Sequence, residues 1–156
     1  MKFIKSILYL LFLSFLLSCS KEDGKIDFTF LQLNDVYEIA SIQGGAYGGM
    51  ARVESVHKEL LNENPNTMLF LAGDFLNPSL LGSIKVDGER VRGKQMVEVM
   101  NAMNFDLVAF GNHEFDVSQK DLQNRLNESN FPWISANIKL KTDQGTLPFY
   151  KERNGQ

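Results

Sequence analysis

Asp35, Asp74, Asn112, His113 and Asp116 are the residues whose types and spacing could do chemistry in this chain. Phe110-Gly111-Asn112-His113-Glu114-Phe115-Asp116 gathers a hinge glycine, an amide, an imidazole and two carboxylates directly after the apolar run Asp106–Phe110. Histidine exchanges a proton near neutral pH, asparagine offers a carbonyl oxygen, and a carboxylate can hold a ring nitrogen in place. Asp116, three residues beyond His113, could reach back across a turn and orient the imidazole. Two aspartates and an asparagine at strand tips suit a hard or borderline divalent cation. Metals that share one carboxylate can grip a phosphoryl oxygen while an imidazole donates to that oxygen or to the leaving group. Each residue alone would be explained by a turn or a helix cap. Three such tips in series point instead to a site.

These residues need elements that bring them together. Ile26–Leu33 is rich in strand formers and runs into Asn34-Asp35. The cluster Gly44–Gly49 has neither a GxGxxG nor a Walker pattern and reads as a structural turn rather than a phosphate cradle. Met50–Asn64 is helical, with Met50, Val53, Val56, Leu60 and Leu61 as its apolar stripe and His57 as a surface or boundary residue beside it. Pro65 ends it. Thr67–Ala72 is a continuous apolar run, as expected of a strand buried on both faces, and breaks at Gly73-Asp74. A loop over 75–92 follows. Gly93–Asn104 is a helix striped by Met96, Val99, Met100 and Met103. Asp106–Phe110 is a third strand, Ser118 starts a third helix with Asp121 at its third position, and Trp133–Ile138 is a fourth strand. Residues 139–156 form a mostly polar tail. The β-α-β-α-β-α-β order predicts an α/β fold with a mainly parallel sheet, so Asp35, Asp74 and Asn112-His113 would meet along one edge.

The chain has 156 residues, room for one domain, and a net charge of −3, which does not point to nucleic-acid polymers. Its single cysteine excludes a disulfide framework within the monomer. Lys2 and Lys5 precede an apolar stretch, Ser6–Leu17, too short to span a bilayer comfortably. This is the layout of a secretory signal peptide over 1–18, and Leu16-Leu17-Ser18-Cys19 resembles a bacterial lipobox with Cys19 as the lipidated residue. Removing residues 1–18 takes away two lysines and no acids, leaving −5. Residues 19–25 then read as a polar tether and 26–156 as the folded domain. The expected location is the bacterial cell envelope, exported and lipid-anchored to a membrane face.

The blocks Leu33-Asn34-Asp35, Gly49-Met50-Ala51-Arg52, Ala72-Gly73-Asp74-Phe75, Asn101–Asp106, Phe110–Asp116 and Pro132–Asn137 resemble the 5′-nucleotidase branch of the calcineurin-like metallophosphoesterases over about residues 26–138. That resemblance implies an αββα sandwich, of which this chain would supply the N-terminal half. It implies two divalent metal ions (Zn, Mn, Mg or Ca), with Asp35 as a ligand, Asp74 bridging both metals, Asn112 binding one, and His113 with Asp116 as the catalytic pair. It implies phosphoric ester hydrolysis of nucleoside 5′-monophosphates, 2′,3′-cyclic nucleotides or UDP-sugars.

Two departures stand out. The family usually has Asp-x-His where this chain has Asp35-Val36-Tyr37, so Tyr37 occupies a ligand position as a substituted residue. A neutral phenol, with a pKa of about 10, is a poor ligand, and the exchange is expected to weaken one metal or change its identity. The later histidine motifs of the family are also missing, because His57 and His113 are the only histidines. Counting Asp74 twice leaves roughly four metal contacts, where two metals need about eight. The expectation is a truncated phosphoesterase, weakly active or inactive alone. The alternatives are a lipid-anchored non-catalytic remnant and a surface binding lipoprotein.

Overall fold

The computed structural model describes residues 24–152. The signal segment, Cys19 and most of the tether lie outside the described residues. Four parallel strands form the central sheet: β1 (Thr29–Leu33), β2 (Thr67–Leu71), β5 (Leu107–Ala109) and β6 (Trp133–Ile134), adjacent in that order. The register runs Thr29↔Thr67 to Leu33↔Leu71, then Leu71↔Val108 and Ala109↔Ile134. Helix α1 (Met50–Glu63) joins β1 to β2, and α4 (Gln119–Glu128) joins β5 to β6. The β2–β5 connection contains a one-turn helix α2 (Leu80–Ser83), a hairpin of β3 (Lys85–Val86) and β4 (Glu89–Arg90), and helix α3 (Lys94–Ala102). A second hairpin, β7 (Leu140–Thr142) with β8 (Gly145–Leu147), follows β6.

Strands laid side by side in sequence order and joined by right-handed crossovers must carry all their helices on one face. The buried core shows this. Leu69, Leu71 and Val108 of the sheet pack against Met50 of α1, Met96, Val97 and Met100 of α3, and Leu122 and Leu126 of α4. Burial of each such side chain is worth roughly 1.5–3 kcal/mol. The alternate residues of the same strands face the other way. Phe28 and Phe30 are 57% and 62% exposed, Ile134 is 48% exposed, and Met68, Phe70 and Leu107 are half-buried. Phe28, Phe30 and Phe70 stack in a row on this bare face, with centroids 6.4 and 5.5 Å apart.

Several expectations change. His57 is buried, not a surface or boundary residue, and Val56 is 46% exposed. Each helical residue turns the chain by about 100°, and the inward arc of α1 is Met50, Val53, His57 and Leu60, which rotates Val56 away. Val97 joins the core face of α3 as well. The stretch 75–92 holds a helical turn and a hairpin rather than plain loop, closed by Val91 N–H donating to Ile84 and Arg92 N–H to Gly82. Buried Arg125 of α4 fastens it by donating to the carbonyls of Val91 and Arg92. The polar tail contains the β7–β8 hairpin, and the fourth strand is shorter than Trp133–Ile138. The N-cap of α4 is as read: Ser118 Oγ accepts the Asp121 N–H at 3.1 Å. Among the described residues no helix is long and apolar enough to cross a membrane.

The bare aromatic row predicts self-association. On light scattering coupled to gel filtration, residues 20–156 should elute as oligomers, and Phe30→Ser with Phe70→Ser should shift the population to monomer. A monodisperse wild-type monomer would contradict this.

Candidate active site

Parallel pairing continues past the strand ends and levels the tips. Ala72 N–H donates to Leu33 and Asp35 N–H to Gly73, which sets the Asp35 turn beside the Asp74 turn. Asp106 anchors β5 against β2, its carboxylate accepting Leu69 N–H at 2.7 Å. Asp35 and Asp74 both take left-handed backbone angles, φ 56° and 64°, directly after their strands. Aspartate tolerates that conformation better than most residues. The third tip approaches so closely that only glycine fits. A Cβ on Gly73, at φ +90°, would stand 2.6 Å from Gly111 Cα, and a Cβ on Gly111 would stand 2.6 Å from Asp74 Cγ.

Asn112 opens a 3₁₀ turn over His113–Asp116. Within this turn His113 Nδ1 lies 2.6 Å from Asp116 Oδ2. A carboxylate only accepts, so the ring proton sits on Nδ1 and Nε2 is left for other partners. The hydrogen bond with Asp116 is the main cause that raises the His113 pKa above its ordinary value, helped by the charges of Asp116, Asp74 and Glu114 against partial burial. Asp116 is lowered in return, first by His113 and then by Asn77, whose Nδ2 donates to Asp116 Oδ2 at 3.2 Å. The His113 backbone N–H donates to Asp74 Oδ1 at 2.8 Å, joining the second and third tips.

At the first tip, Asp35 is held below its usual carboxylate range by hydrogen bonds from Asn34 and then Tyr37. Tyr37 Oη donates to Asp35 Oδ1 at 2.9 Å, and its ring stands edge-on to His113 with centroids 5.9 Å apart. Partial burial, followed by the bond to Asp35, pushes the Tyr37 hydroxyl up to about 12. Tyr37 therefore stays a neutral donor toward Asp35. Glu38 ties this tip to α2 by accepting Leu80 N–H at 3.2 Å.

The structure thus brings Asp35, Tyr37, Asp74, Asn112, His113 and Asp116 to one sheet edge. Among the described residues no group of three His, Cys, Asp or Glu side chains is gathered to hold a metal ion. The oxygen donors Asp35, Asp74 and Asn112 match a hard cation in type and fall short of a complete set in number. Two residues of the site had no role assigned from sequence, Asn77 and Glu114. The Glu114 carboxylate is fully buried and accepts backbone N–H groups from Asp74, Phe75, Leu76 and Gly111. Its one sequence signal is a charge set between His113 and Phe115, out of step with the His113–Asp116 pair.

The calcineurin-like phosphoesterase family model matches residues 28–152. A snake venom 5′-nucleotidase of Gloydius brevicauda is 34% identical over 128 residues, which cover 76% of this chain and 21% of that protein. The 5′-nucleotidase of Homo sapiens is 35% identical over 95 residues, 60% of this chain and 16% of that one. The crystal structure of calcineurin-like phosphoesterase YfkN from Bacillus subtilis superposes with a TM-score of 0.63 at 25% identity, over 80% of this chain and 40% of that chain. The chain spans about a fifth of the length of the venom protein.

Three outcomes test the geometry. In a histidine NMR titration, the His113 midpoint should lie above 6.5. It should fall toward that value in Asp116→Asn, and an unmoved midpoint would refute the pairing. The pair's stabilising effect should be complete below pH 6.5 on the His113 side and fade as pH rises through the raised value. On the Asp116 side it should hold above 3.8 and fade as pH falls through the lowered value. Gly73→Ala should cost at least about 2 kcal/mol, a Tm drop on the order of 8 °C, because both φ and the Gly111 backbone oppose a Cβ. A Tm within about 2 °C of wild type would show the tips are not in contact.

Proposed function

The chain belongs to the calcineurin-like phosphoesterase family, and from that premise we propose that its strand tips form part of a metal-dependent phosphoric ester hydrolase site acting on nucleotides. One observation carries the reading. His113 is tied through its backbone to Asp74 and through its ring to Asp116, on the sheet edge that also holds Asp35. Calcineurin-like phosphoesterases use divalent metals. Asp35, Asp74 and Asn112 would hold them here, and a bound divalent cation supplies Lewis acidity toward a phosphoryl oxygen.

The chain's own residues supply the rest. Asp116 holds the ring proton on Nδ1 and raises the His113 pKa, so Nε2 faces the site and, when the ring is protonated, can donate to a phosphoryl or leaving-group oxygen. Asn77 steadies Asp116 from the β2 tip. Tyr37 occupies one Asp35 oxygen as a donor and adds no anionic ligand. Nucleotide substrates are supported by kinship with 5′-nucleotidases. Export and anchoring through Cys19 belong to the same reading, and rest on the residue pattern of 1–19.

A second reading, a non-catalytic surface binding lipoprotein, is favoured by the short donor set among the described residues. Purified residues 20–156 assayed with AMP, bis(p-nitrophenyl) phosphate and Mn²⁺ separate the two. Turnover near background is expected, together with Mn²⁺ binding that Asp74→Asn abolishes. Robust turnover lost in His113→Asn would overturn the expectation of weak activity. Absence of any Mn²⁺ binding would favour the non-catalytic reading.

A further inference from the structure

We propose that Glu114 is the positioning residue of this site, fixing the Asp74 carboxylate against the backbone of His113. The inference rests on the reading of Asp74 and Asn112 as metal donors. Glu114 is 0% exposed. Among the described residues no Lys, Arg or His forms an ion pair with it. An uncompensated carboxylate buried in this way would be strongly destabilising. The compensation is four backbone N–H groups. Oε2 accepts from Asp74 at 2.8 Å and Gly111 at 2.6 Å, and Oε1 accepts from Phe75 at 2.8 Å and Leu76 at 3.3 Å.

The placing of these donors is what assigns a role beyond filling. Three belong to the β2 tip and one to the β5 tip, so a single carboxylate closes the gap between the two loops. It does so at the Gly73–Gly111 contact, where no side chain could intervene. Glu114 itself rides in the 3₁₀ turn of His113–Asp116. The turn that carries the imidazole therefore grips the loop that carries Asp74. The grip is returned twice, by Asp74 Oδ1 on His113 N–H and by Asn77 Nδ2 on Asp116. Asp74 has φ +64°, a conformation that aspartate tolerates better than most residues and that restraint from its surroundings holds in place. The bond from its N–H to Glu114 is such a restraint.

A residue that merely satisfies its own four donors would leave the His113 N–H alone, because Glu114 does not touch it. Amide exchange in the full-length ¹⁵N-labelled chain distinguishes the cases, comparing wild type with Glu114→Gln. The substitution keeps the volume and turns one acceptor into a donor facing N–H groups. The expected result is exchange at least about tenfold faster at His113 as well as at Asp74 and Gly111, with Leu69 and Val97 still protected, and a Mn²⁺ Kd raised about tenfold by EPR. Unchanged exchange at His113 would overturn the proposal. A uniform loss of protection, including Leu69 and Val97, would assign Glu114 to general stability and overturn it too. Should Glu114→Gln fail to fold, Glu114→Asp, one methylene shorter with the charge kept, gives the same comparison, and failure of both to fold also overturns it. A wild-type chain that takes up no Mn²⁺ would count against the metal reading alone, and the His113 exchange would still decide the positioning.

Discussion

Right-handed crossovers between sequentially ordered parallel strands are the constraint from which the rest of this structure follows. With β1, β2, β5 and β6 adjacent in chain order, every connection advances in the same direction. Every helix then lands on the same face. That face closes into one core around Leu69, Leu71 and Val108. The opposite face keeps the aromatic row of Phe28, Phe30 and Phe70. Parallel pairing also sends every strand's C-terminal end to the same edge, so a polar residue placed after each strand cannot avoid its counterparts. The tight core and the gathered site have the same geometric origin.

At that edge the chemistry is a matter of who donates and who accepts. Four carboxylates, those of Asp35, Asp74, Glu114 and Asp116, converge there with the imidazole of His113, and negative charge gathered so closely needs donors around it. The structure relieves it by donors. Asn34 and Tyr37 serve Asp35, the His113 N–H serves Asp74, and His113 with Asn77 serves Asp116. Asp35 and Asp116 are held below the usual carboxylate range, and the imidazole of His113 keeps its proton to higher pH. Such a state suits both hard-cation binding and proton donation. Tyr37 marks the difference from an imidazole at the same place. It sharpens the position of Asp35 and contributes a neutral hydroxyl.

Much of this was legible in the order of residues. Runs rich in apolar residues and strand formers placed all four sheet strands, and period-3.6 stripes placed the three longer helices, because both report what an element turns toward the core. The tips Asp35, Asp74 and Asn112-His113 could be named because breakers follow apolar runs. The cap at Ser118 was readable because capping is local. The misses were the places where burial depends on a partner from far along the chain. Assigning the apolar stripe of α1 by residue type favoured Val56, whereas rotation relative to β2 buried His57. The hairpins at 85–90 and 140–147 are short and polar. The first is fastened by Arg125, more than thirty residues away.

The sequence by itself determined the types of the longer elements, the parallel α/β order and which polar residues follow each strand, since these depend on local pattern. Only the tertiary structure decided which face of the sheet is bare and that Glu114 points inward to join two loops. Those outcomes depend on contacts between residues about forty positions apart, such as Glu114 with Asp74. No window along the chain contains both partners, and a buried carboxylate reads as an exposed one until the N–H groups that surround it are in place.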